Sequence, residues 1–361
     1  MRGRASVYGI CLSVVLTAAY STVGLCGVSA ILAGCDFSAS RAPDGVVTFA
    51  GATMGTTYSV KIAAESMTVG ARQRIEHAIS EVLQGIDREM STWRSDSELS
   101  QFNASENAAA FNVSRNLIEV LLCAQRISEQ SGGAFDVTVG PLVNAWGFGP
   151  AGGRERVPED GEIARLKPSV GYQKLVIDSG AGALRKTAQG MYVDVAAIAP
   201  GYACDKLGVA IETLGYPNYL IELGGEVRAR GAKLDGKGWT IGVERPDAPG
   251  RALYTPVTLD GMSLSTSGDY REYFEKSGVR YSHTVDPRTG RPITHHLASV
   301  TVINRDCMWA DAYATAIEVL GPEEGYQLAV REKLPALLLV REAPGVFREK
   351  QTPAYTAMFG R

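Results

Sequence analysis

The stretch YLIELGGEVRARG, residues 219–231, indicates the fold of this chain, because two strand-like segments meet at the paired glycines Gly224 and Gly225. Paired glycines between extended segments are typical of a hairpin turn or a β-bulge. Further β-segments with glycine turns follow in WTIGVERP (239–246) and ALYTPVTLDGMSLSTSGDY (252–270). Short connections of this kind join antiparallel neighbours, so an antiparallel sheet is predicted here.

Elsewhere in the chain, helices and strands follow no regular βαβ order. Further strands are predicted over 46–62, 174–179, 190–198, 298–303 and 334–340, and helices over 68–90, 114–130, from near Gly201, and over 309–320 before Gly321-Pro322. Residues 90–103 are predicted as a polar loop and 154–168 as charged surface. These patterns together predict an α+β fold with mostly antiparallel sheets packed with helices.

The composition is that of a globular protein. Of the 361 residues, 45 % are hydrophobic and 21 % are charged, and the formal net charge is −3. The sequence contains no basic stripe, so nucleic acid is not an expected partner. Cys123, Cys204 and Cys307 are too widely spaced for a disulfide framework, and we expect them to be buried as small apolar residues.

The N-terminus has the pattern of a secretory signal. Arg2 and Arg4 precede a run of apolar and small residues that ends in LAGC, residues 32–35. This tetrapeptide resembles the bacterial lipobox, in which the cysteine is lipidated. An uncleaved membrane anchor is the alternative, since the apolar run is long enough to span a bilayer.

The lipobox defines the expected domain boundaries. We predict a lipoprotein signal peptide over 1–34, lipidation of Cys35, a lipidated tether over 35–45 and one folded domain over 46–361. Asp36 follows the cysteine and resembles an inner-membrane retention signal. The expected location is therefore the periplasmic face of the inner membrane.

A candidate metal site lies in MWADAYATA, residues 308–316. Asp311 and Thr315 are four residues apart on a predicted helix, so their oxygens project from one face. A carboxylate and a hydroxyl are hard donors that suit Mg²⁺. The structural alternative is an aspartate near a helix start, where the helix dipole favours it, with an unrelated threonine on the same face.

Three further motifs have both a functional and a structural interpretation. In VDVAAIAPGYACD (193–205), small residues lead into a helix start that would suit an anion, although a plain strand-to-helix junction has the same pattern. Trp93 lies in a polar loop. It is either a stacking platform for a flavin or adenine ring or a partly buried anchor of the loop. His283, in SHTVDPRTGRP (282–292), lies beside an Asp-Pro turn, where it would act as a base or merely cap the turn.

The order of the motifs resembles that of the ApbE family, the FAD:protein FMN transferases. The series is MGTTYSV (54–60), MSTWRSDSELSQFN (90–103), GGAFDVTVGPLVNAWGFG (132–149), DVAAIAPGYACDKL (194–207), ELGGEV (222–227), STSGDYREYF (265–274), SHTVDPRTGRPI (282–293) and ADAYATA (310–316). The resemblance covers about residues 53–320, and SHTVDPRTG and ADAYATA are its most specific parts. It implies an ApbE-like, T-fold-related architecture.

The resemblance implies an activity. Enzymes of this family cut FAD at its pyrophosphate and transfer the FMN part to a threonine or serine hydroxyl, forming a phosphoester and releasing AMP. We therefore expect a Mg²⁺-dependent transferase whose partner is an acceptor flavoprotein, expected to be a membrane redox subunit. The closest alternative is an FAD pyrophosphatase that forms FMN and AMP. A flavin-binding lipoprotein without turnover is a second alternative, and a solute-binding lipoprotein would leave the motif series unexplained.

The resemblance also implies roles for individual residues. Positions that contact the flavin nucleotide match Met54, Trp93, Ala134, Phe135, Asp136, Ala196, Tyr202 and Val285. The metal ligands match the side chains of Asp311 and Thr315 and the backbone carbonyl of Ala199. His283 matches the histidine that takes the proton of the acceptor hydroxyl, a role that suits a side chain whose ordinary pKa lies near neutrality.

Two positions depart from the pattern of the family. Pro200 stands where relatives often have a lysine, so a positive charge near the phosphates is missing. Ala314 stands where some relatives have a second aspartate. The predicted metal site therefore has one carboxylate fewer.

Overall fold

An antiparallel sheet of eight strands lies at the centre of the structure. The structure is a computed structural model that describes residues 40–41, 45–106, 109–150, 156–246, 248, 250, 252–270 and 272–360. The strands are Ser40–Arg41 (β1), Val46–Thr53 (β2), Thr56–Ala63 (β3), Ser66–Met67 (β4), Phe111–Asn112 (β5), Leu175–Asp178 (β6), Ala183–Lys186 (β7), Tyr219–Leu223 (β8), Glu226–Arg230 (β9), Trp239–Glu244 (β10), Leu253–Leu259 (β11), Met262–Gly268 (β12), Tyr273–Lys276 (β13), Val279–Ser282 (β14), Val285–Asp286 (β15), Arg291–Pro292 (β16), Leu297–Asn304 (β17), Ala336–Ala343 (β18) and Val346–Gln351 (β19). The α-helices are Val69–Met90 (α1), Glu98–Ala104 (α2), Arg115–Gln130 (α3), Gly140–Ala145 (α4), Asp160–Leu166 (α5), Ala199–Thr213 (α6), Cys307–Arg331 (α7) and Pro353–Phe359 (α8).

The central sheet has the strand order β19-β18-β17-β12-β9-β8-β3-β2, and every neighbouring pair in it is antiparallel. Two tight hairpins fix its register. Thr53 pairs with Thr56 across the β2–β3 turn, and Leu223 pairs with Glu226 across the β8–β9 turn at Gly224 and Gly225. The predicted α+β class with mostly antiparallel sheet is confirmed.

Both faces of the sheet are covered, because its strands alternate apolar residues between the two faces. Tyr219, Ile221 and Leu223 of β8 belong to the main core, which also contains the apolar residues of α1, α3, α6 and α7. Val227 and Ala229 of β9 face the opposite side and pack with residues of the β10–β11 hairpin and of α8. The helices that carry the candidate site therefore all lie on one face of the sheet.

A third, smaller cluster corrects the prediction that 154–168 is only charged surface. Residues 160–166 form α5, and its Ile163 is buried with Leu142, Trp146 and Val285. Gly290 must remain a glycine against this cluster, because a Cβ there would lie 2.7 Å from Ile163 Cγ2 and its φ is +77°. The helix α5 thus supports the loop that follows His283.

Residues 90–103 and 190–198 also differ from prediction, and one side chain links the two differences. The polar segment ends in α2, because Ser97 Oγ accepts a hydrogen bond from Ser100 N at 3.0 Å as an N-cap. The 190–198 segment is not a strand, apart from one bridge at Tyr192. Asn103 at the end of α2 instead hydrogen-bonds both Val193 N and Val193 O, each at 2.8 Å, as a neighbouring strand would.

The helix predicted over 309–320 runs on to Arg331. Gly321 (φ 80°) kinks it, and the helical path resumes at Pro322. Proline fits the first turn of a helix because no N–H is needed there, so the Gly-Pro pair bends the helix instead of ending it.

The predicted signal peptide and lipidation site lie outside the described part of the chain. Residues 1–39, which include Cys35 and Asp36, are not described, so the signal peptide, the lipidation and the domain boundaries stay predictions. Among the described helices, none is both long enough and apolar enough to span a bilayer. Cys123, Cys204 and Cys307 are buried free thiols, as predicted.

Glu318 of α7 is an unusual core residue. It is completely buried, and neither carboxylate oxygen has a hydrogen-bond partner among the described residues. Burial raises its pKa well above the ordinary 4.5, the negative charge of Asp269 adds to this, and Arg341 only partly opposes it. Folding therefore favours the neutral acid of Glu318, and the stability of the chain falls as the pH rises above about 4.5.

We predict that Glu318→Gln gains stability relative to the natural chain as pH rises. With a raised folded-state pKa, the stabilising contribution is complete below about 4.5, the unfolded value, and is lost as pH rises through the folded pKa. The difference in unfolding free energy should grow by up to roughly 1.4 kcal/mol per pH unit across this window. Urea unfolding from about pH 5 to about pH 8 measures it, with exposed Glu323→Gln as control. A difference independent of pH would contradict the assignment.

Candidate active site

The candidate site lies at one end of the central sheet, where two hairpin turns meet. Met54 and Gly55 form the β2–β3 turn with positive φ values of 48° and 73°, a conformation rare for a side chain as large as methionine. Gly224 of the β8–β9 turn donates its N–H to Thr57 O at 3.1 Å. The predicted flavin residue Met54 is thus held next to the ELGGEV motif.

The first turns of α6 and α7 cross in close contact at this end. Gly201 N donates to Asp311 Oδ2 at 2.9 Å, and a Cβ on Gly201 would lie 2.6 Å from Cys307 O. Pro200 fits the first turn of α6, because a backbone N–H at this position would have no acceptor within the helix. Asp205 of α6 in return accepts hydrogen bonds from Cys307 N and Met308 N, both at 2.9 Å, and so caps α7. Ala199, the first residue of α6, lies two residues before Gly201 at this crossing.

Asp311 has the electrostatics of a cation ligand. It is only 5 % exposed, and its pKa is raised well above the usual range by burial and then by the charge of Glu226. Thr315, one turn further along α7, lies with its Oγ1 3.3 Å from Ser267 Oγ. In the described part of the chain, no three His, Cys, Asp or Glu side chains converge as a metal site. One carboxylate, one hydroxyl and one carbonyl nevertheless fit Mg²⁺, which keeps several waters or phosphate oxygens as ligands.

A row of serines on β12 faces α7 and was missed by the sequence analysis. Ser263 and Ser265 are buried, and Ser265 Oγ donates to Glu226 Oε1 at 3.4 Å. Ser267, the third member, contacts Thr315 as described above. The signal was visible in MSLSTSG, where serine recurs at every second position, the period of one strand face.

The GAFD loop is held against the segment that leads into α6. Asp136 Oδ1 accepts from Thr138 N and Thr138 Oγ1, and its Oδ2 accepts from Tyr172 N, at 2.7–2.8 Å. Burial still raises the pKa of Asp136, because desolvation outweighs these bonds. Asp194 N donates to Val137 O at 2.7 Å. Asp136 thus anchors the loop.

The remaining predicted flavin positions differ in exposure. Ala134 and Phe135 are buried in the GAFD loop, whereas Ala196 is exposed. Trp93 is 74 % exposed, and its neighbour Thr92 lies close enough to Tyr192 to lower the pKa of that tyrosine, which burial raises. The Trp93 loop therefore lies beside the same 190–198 segment as the GAFD loop does.

Tyr202, a predicted flavin contact, is almost completely buried. Its side chain is only 1 % exposed, and its hydroxyl lies 2.8 Å from Asn116 Oδ1 and 2.9 Å from Glu119 Oε2. Its pKa is raised by burial and by the Glu119 carboxylate. Tyr202 belongs to the interface between α3 and α6, so its predicted flavin contact stays a prediction.

The geometry around His283 defines its tautomer. The residue directly follows the β13–β14 hairpin, and its Nδ1 lies 2.9 Å from Glu272 O. Because a carbonyl oxygen can only accept, Nδ1 carries the hydrogen, and Nε2 of the neutral ring is a proton acceptor. Phe148 makes an edge contact with the ring at 6.4 Å between centroids. His283 thus has an oriented ring and a basic nitrogen.

The turn after His283 is braced on both sides. Asp286 accepts from Arg288 N at 2.8 Å and pairs with its guanidinium at 2.9 Å, while Val285 is buried in the third cluster. Lys167 Nζ donates to Pro287 O at 2.7 Å. Arg288 also lines a cavity of about 760 Å³ beside the kinked half of α7, but none of the predicted flavin or metal residues lines it.

Comparisons with known proteins place this fold in the class of flavin transferases and identify its family. The chain belongs to the ApbE family, whose profile matches residues 54–338. It is 38 % identical to an FAD:protein FMN transferase of Vibrio cholerae over 325 residues, covering 90 % of this chain and 95 % of the relative. A transferase of the same name from Haemophilus influenzae is 37 % identical over 333 residues, covering 91 % and 96 %.

A solved structure agrees. The apo crystal structure of the Pseudomonas stutzeri flavinyl transferase ApbE has a TM-score of 0.79 and 42 % identity, covering 88 % of this chain and 97 % of that one. The predicted family and fold are therefore confirmed. The roles of individual residues stay predictions, which the contacts described above support to different degrees.

We predict that Gly201→Ala destabilises the helix crossing. The new Cβ would lie 2.6 Å from Cys307 O and 2.8 Å from Asp311 Cβ, and overpacking of this kind costs about 1–3 kcal/mol. Gly85→Ala, within α1 and with open space around its Cβ, is the matched control and should gain about 0.5–1 kcal/mol. Thermal unfolding of both variants decides the matter. A Gly201→Ala chain as stable as the control would show that the crossing is looser than described.

Proposed function

We propose that this chain is a Mg²⁺-dependent transferase that moves FMN from FAD to a threonine or serine hydroxyl of an acceptor protein and releases AMP. The observation that carries the proposal is Asp311, a buried carboxylate that meets the first turn of α6 and shares its helix face with Thr315. The shared name of the relatives confirms the predicted enzyme class, a flavin transferase.

The cation would be held by Asp311, Thr315 and the carbonyl of Ala199. When bound, Mg²⁺ would offset negative charge on the pyrophosphate. The N-terminus of α6 adds its own positive end, which partly makes up for the lysine that Pro200 replaces. The loops of Trp93, Asp136 and Ala196 would hold the flavin part.

His283 would act on the acceptor. Its Nε2 would take the proton of the attacking hydroxyl, while the Nδ1–H bond to Glu272 O keeps the ring in the required tautomer. The oxygen then attacks the phosphorus of the FMN part, the bond to the AMP oxygen breaks, and AMP departs. A water in place of the hydroxyl would give FMN and AMP, the pyrophosphatase reaction.

The location is part of the proposal. Lipidation of Cys35 would attach the chain to the periplasmic face of the inner membrane, close to membrane redox subunits as acceptors. The LAGC motif and Asp36 support this placement.

We predict that His283→Asn abolishes most transfer while FAD binding persists. Loss of a positioned base costs about 10²–10⁴ in rate. His77→Asn is the matched control, because His77 is exposed on α1 and pairs only with Glu81 among the described residues. AMP release followed by chromatography measures the rate, and flavin fluorescence measures binding. Full transfer by His283→Asn would exclude the histidine as base.

The proposal itself is tested with the purified chain, FAD, Mg²⁺ and an acceptor domain of a membrane redox subunit. A denaturing gel viewed under flavin fluorescence should show a labelled acceptor, and EDTA or Asp311→Ala should remove the label. Free FMN and AMP without a labelled acceptor would instead indicate the pyrophosphatase. Unchanged FAD would indicate a flavin-binding protein.

A further inference from the structure

The predicted cation site has few charges. Asp311 is its single carboxylate, and Ala314, where a second could stand, is completely buried in the main core. An aspartate at Ala314 would therefore need space that apolar packing occupies. A compensating charge, if the chain has one, must come from another element.

Glu226 lies on the right face of the sheet. It is the first residue of β9 and pairs with Leu223, whose side chain belongs to the core on the helix side. Its neighbour Val227 packs on the opposite face. Strand alternation therefore directs Glu226 toward α6 and α7.

One hydrogen bond to its carboxylate and one to its backbone place Glu226 against its neighbours. Ser265 Oγ donates to its Oε1 at 3.4 Å, and its Oε2 lies near the turn, 3.3 Å from where a Cβ on Gly224 would be. Cys204 of α6 donates its thiol to Glu226 O at 3.6 Å, which fixes the backbone against the helix. These contacts position the carboxylate at the sheet end where α6 and α7 cross.

The two carboxylates are linked through one face of β12. The serine that donates to Glu226 and Ser267, which lies 3.3 Å from Thr315, stand two residues apart on this strand, so Glu226 lies beside the face of α7 that carries Asp311. In the described part of the chain, Asp311 has no lysine or arginine partner, and the nearby Arg228 pairs with Asp205 at 2.7 Å. Two negatively charged acids close together repel each other, and a divalent ion between them would remove that repulsion.

We propose that Glu226 supplies the second negative charge of the cation site, facing Asp311 from the β8–β9 turn. This inference rests on the proposed function, because it assumes that Asp311 binds a cation. Ser265 is then a positioning residue that orients Glu226, as hydrogen bonds from neighbouring residues orient metal ligands in other proteins. The Gly224-Gly225 pair forms the tight turn that places Glu226 directly at this end of the sheet.

The test measures cation binding without turnover. The probe is Mn²⁺, titrated into the purified full chain with FAD present and followed by the electron paramagnetic resonance of free Mn²⁺. Glu226→Gln should weaken binding about tenfold or more. Glu222→Gln, on the opposite face of the same hairpin, should bind like the natural chain. Glu226→Asp, which keeps the charge on a shorter side chain, should fall between the two.

Thermal unfolding gives a readout that a merely structural role would not. Without metal, Glu226→Gln should raise the unfolding temperature, because repulsion of Asp311 is removed, and with Mn²⁺ its stabilisation should be smaller than that of the natural chain. Unchanged Mn²⁺ affinity in Glu226→Gln would overturn the inference and leave the proposed function intact. A natural chain that binds no Mn²⁺ would overturn both.

Discussion

The hydrogen bond from Gly201 N to Asp311 Oδ2 joins the first turns of α6 and α7, and the candidate site is built around it. It requires a residue without a Cβ at the crossing and a buried carboxylate opposite. The positive end of α6 therefore lies against Asp311. Asp205 strengthens the junction from the other side by capping α7. A buried acid that accepts a single backbone bond remains electrostatically costly until a cation approaches.

The central sheet contributes two hairpin turns and a row of serines to the site. Its end carries two hairpin turns, and the serines of β12 line the face beneath α7. The flavin side is organised differently, by loops that side chains hold in place. The side chain of Asn103 hydrogen-bonds both backbone groups of Val193, as a neighbouring strand would. Asp136 accepts hydrogen bonds from Thr138 N and Tyr172 N and so holds the GAFD loop. The site thus combines a rigid cation end with a flavin end made of braced loops.

The sequence predicted those parts of the structure that depend on local pattern. The β8–β9 hairpin follows from its glycines, α1 and α3 from helical spacing, and the shared face of Asp311 and Thr315 from their separation. Contacts between distant segments were not predictable. The clamp of Asn103 on Val193 turned an apparent strand into a loop, and nothing in the spacing places Gly201 against Asp311. Glu318 was missed because a charged residue in a helix is normally exposed.

The central claim is that Asp311 and Thr315 hold a divalent cation next to the pyrophosphate of FAD. It is tested most directly by anomalous X-ray diffraction from crystals of this chain grown with FAD and Mn²⁺. We predict one strong anomalous peak between the side chains of Asp311 and Thr315, in contact with the pyrophosphate. Bound FAD without a peak there, or with the peak at another site, would contradict the account.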